Sequence, residues 1–249
     1  MNENTLSRLI LKLDAEGLNY KKASDFHGVL FSLIDHEYAE FLHRQQLHPF
    51  SQYIYFKNGG CYWYIHTLNS EAYIHIIEPL LKDEFNQFQI HNGNIGVSVT
   101  DKTLTVKKYS NLMEEFYDKP VNRDYEVEVR TYASFKQRGR YNITPDLRLF
   151  FQSLMMKYSA VSGNEIMADE ETLEQLTLDS VISRYRLKTG VFPVEGRTIP
   201  GFMGTMGIKV FGSDTMMRYV RLLLQFGEYS GIGIKTAIGM GAIKIIGED

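Results

Sequence analysis

The chain has 249 residues, enough for one large domain or for two domains of about 100–150 residues each. Its 44% hydrophobic and 23% charged residues are typical of a packed core and exclude wholesale disorder. Apolar runs stay shorter than the roughly 18 residues that cross a bilayer, and the first residues lack a signal-peptide pattern. The single cysteine, Cys61, excludes an intrachain disulfide and a cysteine-based metal site. We expect a soluble cytoplasmic protein without membrane contact.

Charge is unevenly distributed along the chain. The net charge of −3 argues against a uniformly basic nucleic-acid-binding protein. Residues 1–124 carry a net charge of −4, whereas residues 184–244 carry +6. The basic stretch indicates a cationic surface for a polyanion, and a solvated face with counter-charges elsewhere is the alternative.

The first half of the sequence alternates predicted strands and short helices. Strands are predicted at 5–13, 52–57 and 61–68, with two or three more inside 88–109. Helices are predicted at 27–33, 36–45, 70–82 and 111–117, after a loop at 19–26. Turns are predicted at 58–60, 92–94 and 101–102.

The second half repeats this order of elements. Strands are predicted at 125–135, 181–192, 205–211 and 241–246, with a turn at Arg138-Gly139. Helices are predicted at 146–161, 170–178 and 213–226. The order strand, helix, strand, strand, helix, strand therefore occurs twice, which is the ferredoxin-like order. We predict an α+β protein of two tandem ferredoxin-like domains, 1–123 and 124–249.

A glycine-rich segment at 226–245 is the most specific motif. Its glycines are Gly227, Gly231, Gly233, Gly239 and Gly241. A Walker loop would need glycine directly before Lys-Thr, and a dinucleotide loop would need glycine three positions after Gly233; neither is present. A nucleotide-binding enzyme is therefore a distant alternative. The residues alone leave open a structural glycine bend or a phosphate cradle.

This segment closely resembles the C-terminal glycine-rich loop of CRISPR repeat-processing endoribonucleases, in the form found with type III-A interference complexes. Further matches are residues 26–30 (FHGVL), 39–43 (AEFLH), 134–136 (SFK), 145–146 (PD) and 150–151 (FF), so the resemblance spans the chain. It implies tandem ferredoxin-like domains, no cofactor, and CRISPR repeat RNA as the partner. A type III interference complex is a further partner that the resemblance allows. It also implies RNA contacts from the loop residues Gly231, Gly233, Lys235, Gly239 and Gly241. A non-catalytic RNA-binding subunit of the same superfamily is the alternative function.

The resemblance also identifies candidate catalytic histidines among the seven in the chain. It implies a catalytic histidine at His43, in the Leu-His element after the first helix. Some relatives carry tyrosine on that helix where this chain has Phe31, which has no proton to exchange, so His27 is the nearest substitute. Family members frequently carry a cationic residue a few positions after the Leu-His element, and this chain has His48 there. A packed or surface histidine is the alternative for each.

The spacing of His27 and His43 sets a geometric condition. One straight helix would hold these side chains about 24 Å apart, at about 1.5 Å per residue. They converge only if the chain turns between two short helices, and Asp35 is a suitable cap for the second.

RNA supplies its own nucleophile, the 2′-OH beside the scissile phosphate, so we expect metal-independent cleavage. His27 and His43 are expected to transfer protons, with electrostatic help from His48 or Lys235. The expected products carry a 2′,3′-cyclic phosphate and a 5′-OH. No metal-ligating cluster is expected, since the acidic run 169–171 is typical of a solvated helix start.

Other residues are candidates for holding RNA. Arg184, Arg186 and Lys188 alternate along a predicted strand and therefore share a face, and Lys209 is a fourth candidate. A hairpin tip contributes Lys136, Arg138 and Arg140. Bases could stack on aromatic residues that are equally suited to the core: Tyr53, Tyr55, Tyr62, Trp63 and Tyr64. The sequence leaves open a monomer or a homodimer.

Overall fold

The computed structural model describes residues 4–19, 22–90, 94–162, 169–194 and 196–247. Strands of the first half are β1 (Thr5–Asp14), β2 (Phe50–Lys57), β3 (Gly60–Thr67), β4 (Gln87–Ile90) and β5 (Ile95–Lys108). Its helices are α1 (Asp25–Leu33), α2 (His36–Arg44), α3 (Ser70–Ala72), α4 (Glu78–Leu81) and α5 (Tyr109–Asp118).

The strands of the first half form one antiparallel sheet in the order β2-β3-β1-β5-β4. Without β4, this is the strand order of the ferredoxin-like fold, and β4 extends the sheet as an extra edge strand. One face carries alternating apolar residues that pack against the helices, with Leu9, Phe26 and Trp63 fully buried. Burial of large side chains of this kind is the main favourable contribution to folding.

The second half contains β6 (Asp124–Ala133), β7 (Phe135–Gln137), β8 (Arg140–Asn142), β9 (Ser180–Val194), β10 (Arg197–Val210) and β11 (Ile243–Ile246). Its helices are α6 (Leu147–Ser162), α7 (Glu170–Leu178) and α8 (Asp214–Ser230). The sheet order β11-β6-β10-β9 is again ferredoxin-like, and β7 and β8 form a separate hairpin. The predicted fold class is therefore confirmed.

Two predicted helix starts, the Asp35 cap and the acidic run 169–171, are confirmed by side-chain hydrogen bonds. Asp35 accepts from the backbone N–H of Tyr38 at 2.9 Å, so α1 and α2 are separate helices. Asp169 accepts from the N–H of Thr172 at 2.8 Å and begins α7 as a solvated helix start. Each cap satisfies a backbone donor that has no partner inside its helix.

The predicted turn at 101–102 is wrong. Strand β5 continues through these residues because it pairs with β1 along its length, and the register shift lies between Lys12 and Leu13. Strand β10 is also longer than predicted. It begins at Arg197, because residues 197–204, Pro200 included, pair with β9 in the same ladder as the predicted part of the strand.

Smaller differences concern helix bounds. Helix α1 begins at Asp25, so Phe26 is helical where a loop was predicted. The predicted helix 70–82 is interrupted by a π-helical segment, Tyr73–Ile77. Residues 92–93 of one predicted turn, and residues 20–21 of the predicted loop, lie outside the described residues.

The two halves pack against each other through α8 and the loop after it. Arg8 on β1 forms an ion pair with Glu228 on α8 at 3.4 Å, and its guanidinium lies over the ring of Tyr229. The chain after α8 makes a 3₁₀ turn, Thr236–Ile238, that contacts β2 and α1. This contact brings the glycine-rich loop next to the first helix. None of the helices in the described ranges is long and apolar enough to cross a membrane.

Candidate active site

Helices α1 and α2 hold His27 and His43 against one aromatic ring. His27 and Phe31 are one helical turn apart on α1, and their ring centroids are 4.4 Å apart. The Phe31 ring in turn lies 5.3 Å from that of His43, which is near the end of α2. The break between the helices therefore brings together the two histidines that the sequence predicted, with Phe31 in contact with both.

His48 joins this group through a second aromatic residue. Its ring contacts that of Phe50 edge-on at 5.6 Å, while His27 lies nearly parallel to Phe50 at 6.2 Å. His48 is half-buried, whereas His43 is exposed. The three predicted histidines thus surround a small aromatic cluster, Phe31 and Phe50.

The glycine-rich loop supplies the opposite side of the site. His27 Nδ1 lies 3.2 Å from the backbone oxygen of Ala237. Because a carbonyl oxygen only accepts hydrogen bonds, Nδ1 carries the proton and Nε2 of the neutral ring keeps its lone pair. Two positions earlier, Lys235 is exposed and has a left-handed backbone conformation, with φ of 59°.

Burial and neighbouring charges keep His27 neutral. Burial lowers the pKa of His27 to about 4, and the nearby His48, His43 and Lys235 act in the same direction, while the hydrogen bond to Ala237 opposes them. The pKa of His48 is also lowered, first by burial and then by the charges of Lys235 and His43. A neutral imidazole with a free Nε2 is suited to accept a proton at neutral pH.

The backbone conformation of the loop itself requires glycine at two of its positions. Ile232 donates its N–H to the Gly241 oxygen at 2.8 Å, and Gly241 donates to the Tyr132 oxygen at 3.0 Å. Gly241 has φ of +66°, and a Cβ there would lie 2.0 Å from the Ile232 oxygen. A Cβ on Gly233 would lie 2.2 Å from the Ser134 oxygen. These contacts exclude side chains at both positions.

Backbone N–H groups of the predicted RNA-contacting glycines already have protein partners. Gly231 donates to the Gly227 oxygen at 2.8 Å and Gly239 to the Thr236 oxygen at 3.3 Å. Gly233 donates to Ser153 Oγ at 2.8 Å. The loop therefore presents its shape and the side chain of Lys235 to a ligand, rather than a set of free glycine N–H groups.

Lys157 on α6 packs against the glycine-rich loop and hydrogen-bonds to it. It is not among the candidate residues predicted from the sequence. Its buried ammonium donates to the Gly231 oxygen at 2.9 Å and lies 3.5 Å from Thr236 Oγ1. Burial lowers the pKa of Lys157 to about 7. The signal in the sequence was a lone lysine within the apolar stretch 147–161. Ala237 gave no signal, because its contribution is a backbone carbonyl.

The basic residues of the second half lie on a different element. Arg184, Arg186 and Lys188 are exposed on β9, the edge strand of the second sheet, and share a face as predicted. Arg184 is paired with Glu126 on β6 at 3.1 Å. Lys209 is half-buried and its Nζ lies 5.7 Å from the ring centroid of Phe211. The structure does not bring these residues to the histidine cluster by any hydrogen bond, ion pair or ring contact.

The hairpin β7–β8 presents its predicted basic residues to solvent. Its tip residues Lys136, Arg138 and Arg140 are exposed. The hairpin begins next to Ser134, whose oxygen accepts from the N–H of Ile234 at 3.0 Å. The hairpin and the glycine-rich loop are therefore connected by backbone hydrogen bonding.

Two of the five candidate stacking aromatics are buried and serve packing. Trp63 is fully buried and donates to Gln52 Oε1 at 2.8 Å. Tyr53 is buried, stacks on Tyr64 at 4.7 Å and accepts from Arg130. The remaining candidates are half-buried: Tyr55, Tyr62 and Tyr64.

Potential metal ligands are dispersed. Among the described residues, no group of three or more histidine, cysteine, aspartate or glutamate side chains is arranged to hold a metal ion.

Comparison with known proteins identifies the family. Residues 127–243 match the model of the family described as CRISPR-associated endoribonuclease Cas6. A CRISPR-associated endoribonuclease Cas6 of Streptococcus thermophilus is 34% identical over 224 residues, which cover 90% of each chain. The Mycobacterium tuberculosis protein of the same name is 35% identical over 96% of this chain and 78% of its own. The chain belongs to the CRISPR-associated endoribonuclease Cas6 family.

Solved Cas6 structures share the fold. A Cas6 product complex superimposes with a TM-score of 0.80 at 22% identity, covering 97% of this chain and 99% of that one. Thermus thermophilus Cas6 gives a TM-score of 0.76 at 19% identity, covering 99% and 100%. Membership of the Cas6 family confirms the interpretation of the chain as an RNA-cleaving enzyme that processes CRISPR repeats.

Proposed function

We propose that this Cas6 cleaves CRISPR repeat RNA without a metal ion, by attack of the 2′-OH on the adjacent phosphate. The observation that carries the proposal is the contact of both His27 and His43 with the ring of Phe31, with His27 Nδ1 facing the Ala237 oxygen. Solved Cas6 structures include complexes with a product and with a substrate mimic, which supports RNA as the ligand of this fold.

His27 is the general base in this mechanism. Its Nε2 lone pair takes the proton of the 2′-OH as that oxygen bonds to phosphorus. The lowered pKa of His27 supports this role, since the ring is neutral in the free protein at pH 7. The hydrogen bond to Ala237 stabilises the imidazolium that forms when the proton arrives, as an oriented carbonyl does for any charged histidine.

His43 is the general acid. It is exposed near the end of α2, and it donates a proton to the leaving 5′-oxygen. One proton thus leaves the 2′-OH and one arrives at the 5′-oxygen as the P–O5′ bond breaks. The products carry a 2′,3′-cyclic phosphate and a 5′-OH.

Lys235 stabilises the negative charge of the phosphorane as a cation, and His48, whose pKa is lowered, assists as a neutral hydrogen-bond donor. The charge of Lys235 is felt at both His27 and His48, as the causes of their lowered pKa values show. A cation at this position is worth most in the transition state, where the phosphate oxygens gain charge.

RNA outside the cleavage point binds along basic residues of the second half. Arg186 and Lys188 on β9 are exposed cations of that half, and Lys136, Arg138 and Arg140 surround the hairpin tip. The loop residues Gly231, Gly233, Gly239 and Gly241 contribute by fixing the shape of the backbone that carries Lys235. Lys209 adds a cation on the same sheet as β9.

The domain division and the cellular context belong to the same proposal. A boundary between residues 123 and 124 is supported by β6, which begins at Asp124, and by sheets that each draw strands from one side of it. A lone cysteine and a transcript as substrate support action in the cytoplasm, and the loop sequence supports association with a type III-A interference complex.

The test is single-turnover cleavage of a labelled repeat RNA by the wild-type protein and by His27→Ala and His43→Ala. Both variants are expected to bind the RNA with nearly wild-type affinity and to cut it far more slowly. Near wild-type cleavage by either folded variant would remove that histidine from the mechanism.

A further inference from the structure

A groove runs along α1 and ends at the edge strand β4. It has a volume of about 830 Å³, within the range of small-molecule sites. Helix α1 contributes His27, Gly28 and Ser32, and β4 contributes Gln87, Phe88 and Gln89. His27 therefore belongs to two places at once, the histidine cluster and one end of this groove.

The lining suits a nucleobase. Phe88 is half-buried and stacked on Phe85, with ring centroids 5.6 Å apart and planes 8° apart, which gives the groove an aromatic floor. Gln87 and Gln89 are exposed on the edge strand and carry amide donors and acceptors. Flat rings stack on aromatic side chains, and amides bind base edges.

The charge of the residues that line the groove argues against binding of the phosphate backbone there. Its charged side chains are Asp25, Lys82 and Glu84, and Asp25 is paired with Lys22 at 3.7 Å, so the lining carries no excess of positive charge. The groove therefore offers phosphate groups little attraction, whereas the exposed Lys235, whose charge acts on His27, attracts them.

We propose that this groove binds the base of a nucleotide next to the scissile phosphate. This inference rests on the proposed function, since it requires the phosphate at His27. An RNA strand whose phosphate lies between His27 and Lys235 directs a neighbouring base toward the groove, because His27 forms its wall. The open edge of β4 would also suit an added protein strand, and that occupant is an outcome of the test below.

Gly28 allows a steric test. It lies on α1 in the lining of the groove, is exposed, and a Cβ at this position meets no atom within 4 Å. Gly28→Leu therefore adds a side chain to the groove, and helix propensity favours leucine over glycine, so the fold is retained. The same contact is removed from the RNA side with two repeat RNAs, one with an abasic residue on the 5′ side of the scissile phosphate and one with it on the 3′ side.

We expect Gly28→Leu to slow single-turnover cleavage of the parent RNA by at least about 10-fold, the loss of one base–aromatic contact. When the abasic residue replaces the nucleotide whose base the groove binds, the wild-type protein and Gly28→Leu should cut that RNA at similar rates. Equal losses on parent and both abasic RNAs would overturn the proposal. So would an unchanged rate on the parent RNA, which would leave the groove to a protein strand.

The matched control is Ala160→Leu, the same added side chain on an exposed position of α6. It should cut all RNAs at the wild-type rate. Binding of RNA with 2′-deoxyribose at the scissile position gives a second readout that needs no cleavage. If the wild-type protein cuts only with added metal, the proposed function fails. The proposal about the groove is still tested in that case, because the affinities of the wild-type protein for parent and abasic deoxy RNA show whether the groove holds a base.

Discussion

The ring of His27 and the carbonyl of Ala237 are joined by a 3.2 Å hydrogen bond although 210 positions separate them in the sequence. The bond fixes which ring nitrogen of His27 carries the proton. The glycine-rich loop, which the sequence marks as the most specific segment, therefore orients a candidate base located on the first helix. In the proposed mechanism, its glycines act through the shape of the backbone.

Gly241→Ala tests this role of the loop. The residue has φ of +66°, and a Cβ would lie 2.0 Å from the Ile232 oxygen, so the substitution forces the loop to move. We expect a loss of about 1–3 kcal/mol in the free energy of unfolding, measured with denaturant, and slower cleavage. Gly96→Ala is the control, because a Cβ there meets no atom within 4 Å. Equal stability of both variants would contradict the structure of the loop.

His43→Ala tests the proton-transfer pair. Single-turnover cleavage should fall by roughly 10²–10⁴, the usual contribution of a general acid or base, with little change in RNA affinity. The double variant His27→Ala/His43→Ala should be scarcely slower than either single variant, because the two act as one unit. Additive losses would argue against a shared step.

The control for the histidine series follows from the structure. His36 is 89% exposed in its side chain, so His36→Ala should cut normally. His66 is fully buried, accepts from Arg8 Nε at 3.1 Å and lies beside Ser51 Oγ, so its replacement would damage the fold. His75 bonds to Asp35, the cap of α2, and is equally unsuitable.

The pH dependence of kcat/KM tests the assignment of His27 as the base. Its lowered pKa, about 4, means that the free enzyme keeps this ring neutral at all higher pH values. As pH falls through about 4 the ring gains a proton, and kcat/KM should drop with unit slope in a log plot. An acidic limb that is unchanged in His27→Ala would contradict the assignment, whereas a limb centred near 6.5 that His27→Ala removes would keep His27 as the base and contradict its lowered pKa.

The salt dependence of RNA affinity tests the basic strand. Arg186→Ala and Lys188→Ala should each flatten the log–log slope by about 0.7, one single-strand phosphate contact. Arg184→Ala should have a smaller effect, because Glu126 already neutralises Arg184 at 3.1 Å. Arg148→Ala, on α6 and paired with Glu170, is the control. An unchanged slope in Arg186→Ala/Lys188→Ala would make β9 a solvated face.

Local signals in the sequence predicted local structure and part of the site. Asp35 has the residue type and position of a helix cap, and the cap forms, so the break that brings His27 toward His43 was predictable. The turn at 101–102 failed because pairing with β1 overrides local turn preference. The contact of Ala237 with His27 arises from packing between distant segments, which no local pattern encodes. A lone lysine in an apolar stretch indicates burial of Lys157, but its partners in the loop are likewise set by long-range packing.

Cleavage in the presence of EDTA tests the central claim most directly. Purified protein is incubated with end-labelled repeat RNA and excess chelator, and the product ends are analysed, with a 2′-deoxy substrate in parallel. We expect undiminished cleavage of the RNA, a 2′,3′-cyclic phosphate on one product and a 5′-OH on the other, and binding without cleavage of the deoxy substrate. Activity that is lost in EDTA and restored by magnesium, or that persists on the deoxy substrate, would contradict the mechanism.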